Sequence, residues 1–288
     1  MKYFRAFGAF LCLATLGSAA FDPVAFNAAV ELYTQRKPLE AQQAFEALAT
    51  ANPANANIQF YLGRLALQRD DHGKAITYLE KAVELSPNDS RFHHRLGDAY
   101  GLSAQKAGLF SKMGLAKKCK TEYEQAVALD SKNLDARQSL MQFYLQAPGF
   151  AGGSNEKALG QAQAIKQLDV ARGRIAVAGV YAADKKFDLA FAEFEEALTA
   201  APDDYAALYQ FGRLAALSGE RLDRGLTVLR QCLTQTTPES QPSHAAVHWR
   251  IGNILEKKGD KAGARASYET ALKVDPKFPQ AIESLKKL

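Results

Sequence analysis

The sequence predicts an all-α protein made of about seven stacked helix pairs and a C-terminal capping helix. Two observations predict this class. First, a small residue, a large apolar residue and a second small or apolar residue recur at offsets of four and three, and a proline follows five residues later. Second, an apolar residue followed by glycine lies upstream of these sets, and Gly63 and Gly97 are 34 residues apart. Offsets of four and three place side chains on one face of a helix.

The recurring set predicts the second helix of each pair. It reads Ala41, Phe45, Leu48, Pro53; Ala75, Leu79, Ala82, Pro87; Ala190, Phe194, Ala197, Pro202; and Ala264, Tyr268, Ala271, Pro276. The small residues let another helix approach closely, and the proline ends the helix. Glycine inside a helix costs about 1 kcal/mol relative to alanine. We therefore expect the glycines of the first helices to lie at close helix–helix contacts; they are Gly63, Gly97, Gly212 and Gly252.

A helix pair every 34 residues with this pattern resembles the tetratricopeptide repeat. The resemblance covers nearly the whole chain after residue 20 and implies a right-handed superhelical solenoid, a single domain over residues 21–288. We expect a final polar-faced helix at residues 278–288, because an open-ended stack needs a cap for solubility. The predicted repeats are residues 22–55, 56–89, 90–133, 134–170, 171–204, 205–239 and 245–278.

The first twenty residues are predicted to be a signal peptide. Lys2 and Arg5 precede an apolar run at residues 6–16 that is too short to span a bilayer. Ser18 and Ala20 are small residues of the kind that signal peptidase reads. We expect cleavage after Ala20 and a periplasmic or secreted bacterial protein that is not an integral membrane protein. An uncleaved N-terminal anchor is the alternative.

Composition and motifs argue against catalysis and against nucleic acid as a partner. Without Lys2 and Arg5 the formal net charge falls from +5 to +3, which is too mild to indicate nucleic-acid binding. Cys119 and Cys232 fall in small buried positions of their repeats, so we expect neither a disulfide nor a reactive thiol. "HAAVH" at residues 244–248 lacks the glutamate of the zinc-binding helix motif. We therefore expect no catalytic, cofactor or metal site.

A glycine-rich stretch, "QAPGFAGGSNEKA" at residues 146–158, raises the question of a phosphate-binding loop. That loop needs a preceding strand and a Gly-Lys pair at fixed spacing, and this stretch has neither. We expect a connection between two helices in which Ser154 caps the second helix. Anion binding at that helix N-terminus is the alternative.

The family resemblance implies that the first helices line a concave groove that holds peptides or partner chains. Aromatic residues and arginine among the groove positions are typical of binding hot spots. Ordinary contact between repeats is the alternative role of each. The candidate groove residues are Phe60, Arg64, Arg91, His94, Asp98, Gln138, Gln142, Tyr209, Arg213, Trp249 and Asn253.

The third repeat is too long, and its excess lies in residues 99–121, which we name the basic hairpin. The segment contains no acidic residue and five lysines, Lys106, Lys112, Lys117, Lys118 and Lys120. Apolar residues are interleaved with them, namely Leu102, Leu109, Phe110, Met113 and Leu115. In one interpretation the apolar residues pack on each other and the lysines are solvated. In the other, the hairpin projects and contacts an anionic partner or membrane surface, with its bend at Gly108 and Gly114.

Together these observations predict a non-catalytic scaffold of the bacterial cell envelope that binds another protein or peptide in its groove. The alternative is a recognition module for an anionic polymer or membrane surface that acts through the basic hairpin. Salt dependence separates the two, since binding to a polyanion weakens steeply with ionic strength.

Overall fold

The computed structural model describes residues 21–288. These residues form fifteen α-helices and one short 3₁₀ turn, with no strand among them, which confirms the all-α prediction. The expected signal peptide, residues 1–20, lies outside the described residues. The chain divides into two compact units, one ending at Leu115 and the other beginning at Ala116.

The first unit is a stack of helix pairs. Each helix packs on the next along the chain, from the first to the fifth. The helices are α1 (Pro23–Thr34), α2 (Pro38–Ala51), α3 (Ala56–Gln68), α4 (His72–Leu85), α5 (Ser90–Lys106) and α6 (Leu109–Leu129). Only the part of α6 up to Leu115 belongs to this unit.

The second unit repeats this arrangement. Neighbouring helices again pack in chain order from α7 to α15. After the rest of α6 come α7 (Leu134–Gln146), α8 (Asn155–Leu168), α9 (Val170–Ala183), α10 (Phe187–Ala200), α11 (Tyr205–Ser218), α12 (Leu222–Cys232), α13 (His244–Lys257), α14 (Lys261–Val274) and α15 (Pro279–Lys287). Each predicted repeat thus contains one helix pair, although α9 begins at the last residue of the predicted fourth repeat.

Short polar residues begin most of the helices. Asp71, for example, accepts a hydrogen bond from the backbone N–H of Lys74, and Asp204 accepts from Ala206 and Ala207. Such side chains satisfy N–H groups that have no partner inside the helix. The caps of this kind are Asp22, Asn55, Asp71, Asp89, Asn133, Ser154, Asp169, Asp204, Ser243 and Asp260.

The recurring small and apolar residues form the core, as predicted. Ala75, Leu79 and Ala82 of α4 are all fully buried, and the corresponding residues of α2, α10 and α14 are buried as well. Of the predicted glycines, Gly63, Gly212 and Gly252 lie at close contacts between the two helices of a pair. A Cβ on Gly63 would lie 2.5 Å from Cγ of Leu79, and one on Gly212 would lie 2.3 Å from Cγ of Leu229.

The glycine-rich stretch joins two helices, which confirms the connecting role that the sequence predicts. It follows α7, passes through the 3₁₀ turn Gly149–Ala151, and turns at Gly152, whose φ of +98° suits glycine. The hydroxyl of Ser154 then caps α8 by accepting from the N–H of Lys157 at 3.2 Å. The anion-binding alternative stays a hypothesis.

The last helix, α15, is amphipathic, as expected for a cap. Its Ala281 is fully buried against a cluster formed with Tyr268 and Ala271 of α14, while Lys286 and Lys287 face solvent. In the part of the chain from residue 21 onward, no helix combines the length and the apolar character needed to cross a membrane.

Candidate partner-binding site

In the first unit, a guanidinium lies among three aromatic rings on the first helices. The Cζ atom of Arg64 is 4.6 Å from the ring centroid of Tyr33, 5.3 Å from that of Phe60 and 5.5 Å from that of Tyr61. Arg64 is half-buried, and among residues 21–288 it has no carboxylate partner. The rings attract the cation through their negative faces but supply no hydrogen-bond acceptor in the plane of the guanidinium.

A second arginine shares one of these rings. Arg91 lies 5.8 Å from the centroid of Phe60 and 5.5 Å from that of Phe92. Asp89 holds it with two side-chain bonds, from Nε at 3.0 Å and from Nη2 at 2.6 Å. Burial would raise the pKa of Asp89, but the hydrogen bonds from Arg91 outweigh it and hold that pKa below its ordinary value. We name Tyr33, Phe60, Tyr61, Arg64 and Arg91 the Arg64 face.

Two predicted groove residues of this unit are corrected by their burial. Phe60 is only 4% exposed, because the ring of Phe92 lies 4.9 Å away and Arg64 covers its face. His94 is buried too, and its Nε2 lies 3.7 Å from Oδ1 of Asp98. Phe60 and His94 therefore pack beneath the predicted groove surface and expose little of their own side chains. Asp98 is engaged as well, since Arg95 donates to its Oδ2 at 2.8 Å.

In the second unit, Arg250 of α13 also lies over an aromatic ring, and sequence reasoning missed it. Its Cζ lies 4.0 Å from the ring centroid of Trp249, and its buried Nε has no hydrogen-bond partner among the described residues. Burial lowers the pKa of Arg250, its hydrogen bond to Tyr209 opposes this shift, and the nearby charge of Arg213 adds to it. The described residues offer Arg250 no carboxylate partner.

Two predicted groove residues on α13 already have partners inside the protein. The indole Nε1 of Trp249 donates to Oγ of Ser284 at 3.0 Å, and its ring meets Phe278 edge to face at 6.1 Å. Asn253 donates from Nδ2 to the hydroxyl of Tyr268 at 2.9 Å. Trp249 therefore fastens the capping helix to α13, and Asn253 joins the two helices of its pair.

The remaining groove candidates differ in exposure. Tyr209 is buried, so its predicted role as an accessible anchor is corrected, whereas Arg213 on the same helix is exposed and makes one 3.3 Å bond to Gln210. On α7, Gln138 is half-buried and Gln142 is exposed. We name Tyr209, Arg213, Trp249, Arg250 and Asn253 the Arg250 face.

The basic hairpin is helical but does not pack as one interpretation expected. Its bend lies at Ala107 and Gly108, whereas Gly114 lies inside α6, so the predicted second bend residue is wrong. Lys106 pairs with Asp70, Lys112, Lys117 and Lys118 are exposed, and Lys120 is half-buried. Leu109, Phe110 and Met113 are exposed rather than packed on each other, which contradicts the packing interpretation for these three.

The cysteine and histidine side chains offer little reactive surface. Cys119 and Cys232 are buried, and burial raises the pKa of Cys232 to about 12. Burial lowers the pKa of His248, and the neighbouring His244 adds to this shift. Over residues 21–288, no three His, Cys, Asp or Glu side chains are grouped so that they could hold a metal ion.

The lack of a carboxylate partner for Arg64 and Arg250 has a signal in the sequence. No acidic residue lies three or four positions away from Arg64 or Arg250 on either side, so neither can form the usual ion pair along its own helix. The absence of an acidic residue at these positions would have selected Arg250, which is not among the predicted groove residues.

Comparison with known proteins supports the repeat assignment. Sequence profiles of the tetratricopeptide repeat match residues 26–90, which span α1 to α4, and residues 245–278, which span α13 and α14. A search of curated protein sequences finds no match.

Solved structures show the same fold at low sequence identity. A tetratricopeptide-repeat protein of Parabacteroides merdae is 15% identical with a TM-score of 0.67, over 91% of this chain and 96% of that one. PilF of Pseudomonas aeruginosa is 17% identical with a TM-score of 0.54, over 81% of this chain and 97% of that one. A thermophilic repeat protein of Thermus thermophilus is 19% identical with a TM-score of 0.53, over 66% and 97%. The family models show that residues 26–90 and 245–278 are tetratricopeptide repeats, and the solved structures show that the chain shares the fold of tetratricopeptide-repeat proteins.

Proposed function

We propose that this protein is a non-catalytic scaffold that binds an acidic segment of another protein on the Arg250 face. Tetratricopeptide-repeat proteins generally serve as protein–protein interaction scaffolds, which gives the class of function. The partner's acidic character is the finer part of the proposal. The Arg64 face has the same chemistry and is the second candidate surface.

The observation that carries the proposal is the environment of Arg250. Its guanidinium is stacked on Trp249, its Nε lacks a hydrogen-bond partner, and the described residues offer it no carboxylate. A partly buried cation without a counter-ion is unfavourable, and a charged group stays in such a site when a ligand completes it.

An acidic side chain or chain terminus is the ligand that completes this environment best. A carboxylate can accept two parallel hydrogen bonds from one guanidinium, which adds geometric specificity to the charge attraction. Arg213 lies close enough to Arg250 to lower its pKa, so a bound carboxylate would meet two positive charges. Arginine, tryptophan and tyrosine are also the residues most enriched at binding hot spots.

We further propose that the protein acts in the bacterial cell envelope after removal of residues 1–20. The support is the basic start at Lys2 and Arg5, the short apolar run and the small residues Ser18 and Ala20. The N-terminal sequence of the protein from the periplasmic fraction tests this. A new terminus at Phe21 is expected, and a full-length chain in the cytoplasmic fraction would contradict it.

The test of partner binding is quantitative co-isolation from cells after mild crosslinking. The double variant Arg213→Gln/Arg250→Gln removes both charges of the Arg250 face and keeps side chains of similar length. The control is Arg230→Gln/Arg265→Gln, which removes two exposed arginines from the second helices α12 and α14. Both variants change the net charge equally.

We expect a protein partner whose recovery falls about tenfold or more in the face variant and stays unchanged in the control, since a charged hydrogen bond contributes about 1.5–3 kcal/mol. The captured segment should contain Asp, Glu or a free C-terminus. Equal recovery of every captured protein in both variants would contradict the proposal.

A further inference from the structure

Three apolar side chains at the start of α6 are exposed to a degree that is unusual for such residues. Phe110 is 91% exposed, Leu109 is 72% exposed and Met113 is 51% exposed. Met113 follows Leu109 by four positions and Phe110 by three, so the three side chains share one side of the helix. Isolated exposed apolar residues are ordinary, but a group of three at a helical bend is a feature that indicates a contact.

Positive charge surrounds these side chains. Lys106 ends α5 and Lys112 lies between the apolar residues on α6. Between Asp98 and Glu122 the sequence has no acidic residue, so no carboxylate of this segment offsets the lysines. Among the described residues, Lys106 pairs with Asp70, while Lys112 and Lys117 form no ion pair. We name Lys106, Leu109, Phe110, Lys112 and Met113 the hairpin tip.

We propose that the hairpin tip inserts into the surface of an anionic lipid bilayer. The negatively charged phosphate headgroups attract the lysines. Leu109, Phe110 and Met113 enter the boundary between the headgroups and the acyl chains. A soluble polyanion would match the lysines but would leave the three apolar side chains in water. This membrane contact is independent of partner binding on the Arg250 face and would hold the scaffold at a membrane.

The expected strength follows from the side chains involved. Each lysine near an anionic surface changes the partition coefficient about fivefold. Burial of an exposed phenylalanine changes it at least about tenfold. The tip therefore supports reversible binding, and loss of either component should weaken that binding measurably.

The test is co-flotation of the purified protein with vesicles. One set contains phosphatidylethanolamine and phosphatidylglycerol, and the other contains phosphatidylcholine alone. The apolar variant is Phe110→Ser/Met113→Ser, with Phe150→Ser as control because Phe150 is also an aromatic residue on the surface, 81% exposed. The charge variant is Lys106→Gln/Lys112→Gln, with Lys261→Gln/Lys277→Gln as control, since these lysines of the last repeat are exposed too. All variants keep the same N-terminus, so any contribution of residues 1–20 cancels.

We expect binding to the anionic vesicles and at least tenfold weaker binding of both tip variants, with both controls like wild type. An environment-sensitive fluorophore on Phe110→Cys should shift to the blue with anionic vesicles, and the same label on Phe150→Cys should not. Because Cys119 and Cys232 are buried, the label goes to the introduced thiol.

Other outcomes overturn the proposal. Equal binding of wild type and the tip variants, or equal binding to both lipid compositions, excludes an anionic-lipid contact at the tip. Binding that survives loss of the apolar side chains but is displaced by soluble polyphosphate indicates a polyanion site. A tip variant that changes the oligomeric state of the protein without changing lipid binding indicates a contact with a second copy of the chain.

Discussion

Gly252 of α13 lies directly against the ring of Tyr268 of α14, where a Cβ would be 2.3 Å from Cε1. The same relationship joins Gly63 to Leu79 and Gly212 to Leu229. Because glycine has no side chain, the two helices of a pair can approach closely at these positions. This close approach explains why glycine, a residue of low helix propensity, recurs in the middle of helices.

Replacement of Gly252 by alanine should destabilise the protein by about 2 kcal/mol, because the added methyl group forces the ring of Tyr268 to move. Gly179 of α9 is the matched control, since a Cβ there meets no atom within 4 Å. Gly179→Ala should stabilise the protein by about 1 kcal/mol through helix propensity. Urea unfolding measures both, and equal effects of the two substitutions would contradict the close-packing account.

Glu193 of α10 joins three helices through charged hydrogen bonds. Lys166 of α8 donates to both of its oxygens at 2.8 Å, and Arg174 of α9 donates to Oε2 at 3.2 Å. Glu193→Gln should cost about 2 kcal/mol, because two partly buried cations lose their shared anion. Glu196 pairs with Arg174 alone and its side chain is 64% exposed, so Glu196→Gln should cost less than about 1 kcal/mol. Chemical unfolding distinguishes them, and a larger effect of Glu196→Gln would contradict this account.

Stability should fall as pH rises through the alkaline range. Burial raises the pKa of Cys232 from 9.0 to about 12, and burial also raises that of Tyr268 from 10.0 to about 12. At pH values between the ordinary and the raised pKa, the folded state holds protons that the unfolded state releases. The free energy of unfolding therefore decreases as pH rises. Urea midpoints at pH 8 and pH 11 test this. The decrease should be smaller in Tyr268→Phe, and a midpoint that does not change with pH would contradict the prediction.

The capping helix α15 should open locally when its tie to Trp249 is removed. Ser284→Ala deletes the acceptor of the indole N–H, together with the contact of Ser284 to Tyr268, and should raise amide exchange in α15 at least about fivefold, since one hydrogen bond contributes about 1 kcal/mol. Gln280 on the same helix is exposed, so Gln280→Ala should leave exchange unchanged. Equal exchange rates in the two variants would show that Trp249 does not fasten the cap.

The helix pairs were accessible from the sequence because their determinants are local. The offsets from Ala75 to Leu79 and Ala82 define one helix face, and caps such as Ser154 mark helix starts within a few residues. The candidate site was harder to predict from the sequence. The resemblance placed Phe60, His94 and Tyr209 at predicted groove positions, yet their neighbours bury them, and burial depends on side chains from other helices. The proposed binding role of Arg250 rests on its contacts with Trp249 and Tyr209, which periodicity does not reveal.

The basic hairpin shows the same limit. Its length and its lysines are visible in the sequence, and so are Leu109, Phe110 and Met113. Whether these apolar residues pack together or face solvent depends on where α6 begins after the turn at Gly108. The structure gives the answer, because α6 begins at Leu109 and leaves the three side chains exposed.

The central claim, that a partner chain binds on the Arg250 face, is tested most directly by a photo-crosslinking amino acid placed at two positions in cells. One replaces Leu217, which is 55% exposed one turn after Arg213 on the first helix α11, and the other replaces Arg265, which is exposed on the second helix α14. We predict a discrete protein adduct from position 217 that disappears when Arg250→Gln is added, and no such adduct from position 265. Adducts of equal yield from both positions, or an adduct at 217 that persists without Arg250, would contradict the claim.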